Sequence, residues 1–152
     1  MSSLSREEIL VYAANLARGQ NGGTLATTHA EDGTPYVTFV LMHLRADGCV
    51  LFGSGPGPQH SRNMRSTPEV SFLIDNREAV LTDWTTFDRL VIEGSAQHID
   101  KSAEEYAGYL EELRQKNALA AQFTEQGQLF CIVPRRLILM KGLEPVRNII
   151  EF

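Results

Sequence analysis

The chain has 152 residues, 43% apolar and 22% charged, which suits one globular domain over residues 1–152 with a sizeable core and excludes a disordered chain. Its net charge of −5 excludes a broad basic surface for nucleic acid, although a local pocket for one phosphate stays open. Cys49 and Cys131 lie far apart without CxxC spacing and read as reduced, buried thiols of a cytoplasmic protein. The opening MSSLSREEIL lacks an apolar leader, and no window is apolar enough to span a membrane.

Ser5-Arg6-Glu7-Glu8 has the form of a helix capping box, and Ile9, Leu10, Ala13, Ala14, Leu16 and Ala17 follow at near-helical spacing until Gly19 and Gly22-Gly23. Thr24–His29, Tyr36–Leu44 and Cys49–Phe52 are rich in β-branched and aromatic residues. The turn signals Glu31-Asp32-Gly33 and Ala46-Asp47-Gly48 separate them, which predicts two hairpins in series. Ser61–Thr67 is a short helix ended by Pro68. Val70–Asp75 and Phe87–His98 resume strand character. Ser102-x-x-Glu105 opens a longer helix through about Phe123, and Phe130–Met140 is a last strand interrupted near Pro134. Strands thus cluster between helices, which predicts an α+β domain around an antiparallel sheet, with closure into a barrel as one outcome.

The stretch GSGPGPQHSRN, Gly53–Asn63, lies between a strand and a short helix. Its glycines let backbone approach an anion closely, and the helix start adds free N–H groups. His60 and Arg62 supply charge; Ser54 and Ser61 supply hydroxyl donors. A phosphate there would receive several charge-assisted hydrogen bonds. The alternative on residue types alone is a solvated surface loop. The spacing fits neither a P-loop nor GxGxxG. His29, His43, His60 and His98 lack zinc-ligand spacing, and no GxSxG is present.

Taken together, GTPYVTFVLMHL, DGCVLFGS, HSRN, TPEVSFLI and DRLVIEGSA, over roughly Gly23 to His98, resemble the pyridoxamine 5′-phosphate oxidase-like family of flavin mononucleotide (FMN)-binding split barrels. The resemblance implies an antiparallel split β-barrel with flanking helices, a homodimer, and FMN bound at the subunit interface. It places Thr38 where the oxidase directs an arginine at the cofactor, and Phe39 and Val40 along the flavin ring. It places His43 where the oxidase has a lysine for its substrate, and Gly53 and Ser54 at the end of the following strand. Gln59, His60, Ser61, Arg62 and Asn63 fall at the phosphate, and Arg89 where a side chain touches the ring. For Arg89, pairing with Asp88 or Glu93 is the alternative; for His43, a place in the core.

The chain also departs from the oxidase. Thr38, Gln59 and His60 replace basic residues, and the C-terminal PVRNIIEF lacks the R-L-H-D-R signature, which argues against pyridoxamine oxidation itself. The Gly-Gly-Phe-Gly element of haem-utilisation relatives is missing too. The expectation is therefore an FMN-dependent oxidoreductase acting between a small-molecule electron donor and an acceptor, neither of which the sequence names. The alternative is a non-catalytic protein holding a flavin, haem or pyridoxal-type ligand. No catalytic residue and no metal ligand is singled out.

Overall fold

The computed structural model describes residues 4–55 and 57–152, so Pro56 of the glycine-rich stretch lies outside the described residues. Helix α1, Arg6–Arg18, starts where the capping box predicts, with Ser5 Oγ accepting the Glu8 N–H at 3.2 Å, and buries Ile9, Ala13, Leu16 and Ala17. Strands β1, Gly22–Thr28, and β2, Pro35–Leu41, pair antiparallel from Gly22↔Leu41 to Thr28↔Pro35. Their turn uses Gly33 at φ +75°, a conformation that costs glycine little, and Asp32 accepts the Thr34 N–H at 3.0 Å. The second hairpin joins β3, His43–Leu44, to β4, Val50–Ser54, through Gly48 at φ +90°. Then come α2, Gln59–Ser66; β5, Glu69–Asp75; the short α3, Arg77–Val80; and β6, Arg89–Ile99. Helices α4, Tyr106–Lys116, and α5, Ala118–Gln126, precede β7, Gln128–Met140, and β8, Asn148–Glu151.

All the pairings are antiparallel, in the order β2-β1-β5-β6-β7-β4-β3, with β8 added to β7. Strands β2 and β3 stand at opposite ends of that order, yet Met42 alone separates them in the chain. The sheet therefore curls until its edges meet: a split barrel. Inward-facing Leu25, Phe52, Phe72, Ile92, Phe130 and Ile132 fill it, and α1 closes one side. Phe52 stacks between Phe130 and Phe72 at centroid distances of 5.6 and 6.5 Å. A second cluster lies outside the barrel, where Leu113 and Ala120 of α4 and α5 cover Leu51, Leu129 and Cys131. Because β4 is covered on both faces, it reads Val-Leu-Phe without alternation.

Three features depart from the sequence expectations. Ser102 caps no helix: Asp100 accepts its N–H and hydroxyl in a local turn, and α4 begins only at Tyr106. The expected single helix is two. Asn117, extended at φ −159°, breaks it and caps α5 by accepting the Leu119 and Ala120 N–H groups at 3.0 and 3.1 Å. Near Pro134 the last strand shifts register without breaking. Glu93 pairs with Arg136 and Gly94 with Pro134, so Arg135 is the extra residue of a bulge, and its carbonyl accepts the Phe152 N–H.

Gly53 fixes how closely α5 lies on β4. A Cβ there would stand 1.8 Å from Thr124 Oγ1 and 3.0 Å from Thr124 Cα. Gly53→Ala is expected to destabilise the fold by about 2–3 kcal/mol in urea denaturation, with only partial recovery on adding Thr124→Ala, because the crowding against the helix backbone remains.

Candidate functional site

Where β2 curls toward β4, a cleft of about 520 Å³ opens. Its walls are Phe39, Val40 and Leu41 of β2 on one side and Ala120, Phe123 and Gln126 of α5 on the other. Gly53, Ser54 and Gly55 at the end of β4, with His60 of α2, form its polar end. The α5–β7 turn presses close behind: a Cβ on Gly127 would stand 2.1 Å from the Ser54 carbonyl oxygen.

The polar end is a buried cluster. His60 Nε2 lies 2.9 Å from Ser54 Oγ, which also meets Ser61 Oγ at 2.5 Å. Both serine hydroxyls reach the Gly55 carbonyl, at 3.2 and 3.3 Å. Ser61, Ser54 and His60 are only 0, 5 and 9% exposed, so ligand access comes from the mouth between β2 and α5. Burial lowers the His60 pKa below the usual histidine value, which keeps the ring neutral near pH 7. Helix α2 adds its first turn, where no side chain caps the N-terminus. Among the described residues lining the cleft, none is arginine or lysine.

Helical spacing divides the HSRN segment between two faces. His60 and Ser61 turn to β4; Gln59, Arg62 and Asn63 turn to the β1–β2 hairpin. Fully buried Asn63 donates to Thr27 Oγ1 at 2.9 Å and accepts the Ala30 N–H at 2.9 Å, which locks α2 onto the hairpin. Gln59 donates to Glu31 Oε2 at 2.9 Å and to Asn63 Oδ1 at 2.8 Å. Arg62, half exposed, donates to the Gly57 carbonyl at 2.8 Å and to Gln59, and lies 3.7 Å from Glu31. Its guanidinium is thus occupied at the rim.

The remaining sequence-predicted residues are dispersed. Phe39 and Val40 line the cleft, while Thr38 sits opposite Leu25 on the strand face that alternates with Phe39. His43 lines a separate cleft of about 490 Å³ between α1 and α4. There its Nε2 lies 3.4 Å from Glu112 Oε1. Arg89 begins β6, whose other end, Ile99, borders Leu129 beside Ser54 and Gly53. Ten residues of strand, roughly 30 Å of its length, separate Arg89 from the corner within one chain. It packs on the Phe87 ring at 5.5 Å, and its buried Nε has no partner among the described residues. The sequence reading missed the α5 wall, because it took Phe123 for the end of a packing helix. The available signal was Gly127 directly before a strand, a mark of close backbone approach.

A curled antiparallel sheet of this order, with flanking helices, is a split barrel of the pyridoxamine 5′-phosphate oxidase-like kind. The sequence model for pyridoxamine 5′-phosphate oxidase matches residues 13–136, and the chain belongs to that family. Solved structures share the fold. A haem-binding protein from Mycobacterium smegmatis is 23% identical at a TM-score of 0.77, over 91% of this chain and 57% of that one. HutZ, the haem storage protein of Vibrio cholerae, is 20% identical at 0.72, over 92% and 99%. General Stress Protein 26 of Bacillus anthracis is 15% identical at 0.67, over 95% and 98%. No curated protein matches the sequence.

Two outcomes follow from this geometry. Asn63→Ala leaves the Ala30 N–H and Thr27 hydroxyl without their partner and is expected to cost about 2–3 kcal/mol in chemical denaturation, whereas Gln59→Ala costs less than about 0.5 kcal/mol. For His60, a lowered folded pKa means the unfolded chain binds its proton first. That contribution to stability is therefore complete above the unfolded value of about 6.5 and is lost as pH falls toward the folded value. Melting temperature measured between pH 8 and pH 5 should fall more steeply for the wild type than for His60→Gln; a residual slope is expected because burial also lowers His43.

Proposed function

We propose that the cleft between β2 and α5 binds FMN and that the protein works as a homodimeric FMN-dependent oxidoreductase. The observation that carries this reading is the union, in one cleft, of long apolar walls and a buried hydroxyl–imidazole corner at the start of a helix. The residues fit the cofactor. Phe39, Leu41, Ala120 and Phe123 offer a slot for a flat ring. Ser54 and His60, backed by Ser61, and the Gln59 and His60 N–H groups at the start of α2 offer donors for a phosphate. When bound, FMN supplies two-electron chemistry that the side chains lack.

The chain's own residues bind, orient and exclude water. Phe39 and Phe123, both more than half exposed, would be covered by the ring. His60 gains a proton more readily once an anion stands beside it, which provides the positive charge that the cleft lining otherwise lacks. The edge strand β2 also exposes Val37 and Phe39, each 63% accessible, an apolar edge that a second copy would cover. The oxidoreductase reading takes a small-molecule electron donor and acceptor as its partners.

The second reading is a non-catalytic protein that holds a flavin, haem or pyridoxal-type ligand. The absence of arginine and lysine among the described lining residues favours it, since a weakly cationic cleft tolerates ligands of lower charge.

Titration of the purified protein with FMN, followed by flavin fluorescence, is expected to give a dissociation constant on the order of micromolar or lower. His60→Ala should weaken FMN by roughly tenfold while changing riboflavin, which lacks the phosphate, by less than about twofold. Flavin that binds, is reduced by a nicotinamide or deazaflavin donor and is reoxidised by an acceptor supports the enzyme; flavin that binds but stays inert supports the carrier. No flavin uptake by a folded protein would overturn the FMN assignment.

A further inference from the structure

The two cysteines, read from the sequence as unrelated thiols, come together on the outer face of the barrel. Cys131 stands opposite Leu51 in the β4–β7 ladder. Strand alternation puts Cys49, two residues before Leu51, on the same face, so the cysteines are diagonal neighbours. Cys49 also packs against the apolar cluster that contains Cys131. Diagonal sites well inside two regular strands are usually too far apart for a disulfide. Cys49 is not so placed. It ends the β3–β4 hairpin loop, its N–H donates to Asp47 Oδ1 at 3.0 Å, and its carbonyl accepts the Arg45 N–H at 2.8 Å. The β4–β7 register begins one residue later, at Val50↔Ile132. Cys49 can therefore move toward Cys131 without breaking that ladder.

The two sulfurs differ in access. Cys49 is half-buried and open to a small oxidant, whereas Cys131 is buried among Leu51, Leu113, Ala120 and Leu129. The neighbouring Cys49 lowers the Cys131 thiol, and Cys131 in turn raises that of Cys49. Arg45 assists from one side, while burial, Asp47 and Glu105 oppose it. A sulfenic acid formed here has the second thiol on the same face and in the same cluster, which favours condensation over further oxidation.

We propose that Cys49 and Cys131 are a redox modification site, forming an intramolecular disulfide when the protein meets a hydroperoxide and thereby stapling the β3–β4 hairpin to β7. One thiolate attacks the peroxide O–O bond, giving a sulfenic acid and the reduced oxygen fragment as hydroxide or alcohol. The second thiol then displaces the sulfenic hydroxyl, forming the S–S bond and releasing water. The two thiols lose two electrons and two protons, and the peroxide gains them. A dithiol reductant reverses the step.

The test uses the whole reduced protein treated with hydrogen peroxide. Intact mass should fall by two hydrogens. Both maleimide-reactive thiols should vanish together and return on reduction, and a non-reducing peptide map should join the Cys49 and Cys131 peptides. Cys131→Ser should instead leave a sulfenic acid on Cys49, the more open thiol, trapped by dimedone. If that variant does not fold, the wild-type peptide map decides. Addition of oxygen without loss of two hydrogens, or disulfides only between separate chains, would overturn the proposal.

Discussion

The fold depends on one topological constraint: strands at opposite ends of the sheet order are consecutive in the chain. After Leu41 leaves β2, Met42 is the only residue before β3 begins on the far edge. A flat sheet of this many strands would separate its edges by tens of ångströms, since neighbouring strands lie about 4.8 Å apart. One residue spans less than about 4 Å. The sheet must therefore curl. Met42 is wholly buried at the seam, its N–H donating to the Asn21 carbonyl at 3.0 Å. Lys116 reinforces the same point from α4, donating to the carbonyls of Ala17 and Gln20 at the end of α1 and approaching that of Met42. A half-buried ammonium is held there because three carbonyls surround it, two of them at a helix C-terminus where cations are favoured.

The cleft follows from that curl. Bringing β2 round toward β4 sets the outer residues Phe39 and Leu41 beside the Gly53–Gly55 corner, and α5 then roofs the gap because Gly53 and Gly127 leave room for it. Asn63 ties α2 to the β1–β2 hairpin, while Ser54, His60 and Ser61 tie it to the end of β4. One short helix thus bridges both sides of the seam. This makes the polar corner a joint of the scaffold as well as a place for a ligand, and pre-organised donors are what such a place requires.

Local chemistry was legible in the sequence where it acts locally. Ser5 with Glu8, Gly33 and Gly48 each mark the start or turn they form, and the alternation of β-branched residues marks the hairpins. The glycine-rich stretch was expected to let backbone approach an anion; the close approach that the structure shows at Gly53 is to α5. What was not legible depended on distant partners. Ser102 has the form of a cap, but Asp100 takes its hydrogen bonds. Asn117 looks like any helix-surface residue until its side chain turns to cap α5. Strand β8 has only a short Asn-Ile-Ile-Glu run, and it exists because β7 offers a free edge. The split of His60 and Ser61 from Arg62 and Asn63 needs the helix phase of α2, which a stretch interrupted by prolines and glycines did not reveal.

That split bears on the chemistry of the corner. Arg62 stands one residue from the buried hydroxyls, yet at the rim it shares Glu31 with Gln59, so a carboxylate already stands beside it. His60 faces the cleft and is held neutral by burial. The corner therefore presents donors without a permanent positive charge. An anion entering it must draw its counter-charge from a proton on His60 or from Arg62 leaving Glu31, and each source costs free energy. A corner of this kind discriminates by hydrogen-bond geometry and shape more than by net charge, because hydroxyls and amides lose little when the ligand is only weakly anionic. The same neutrality explains how Ser54, Ser61 and His60 can be so deeply buried: three neutral groups satisfy one another at little cost, whereas a buried guanidinium in their place would need a carboxylate beside it.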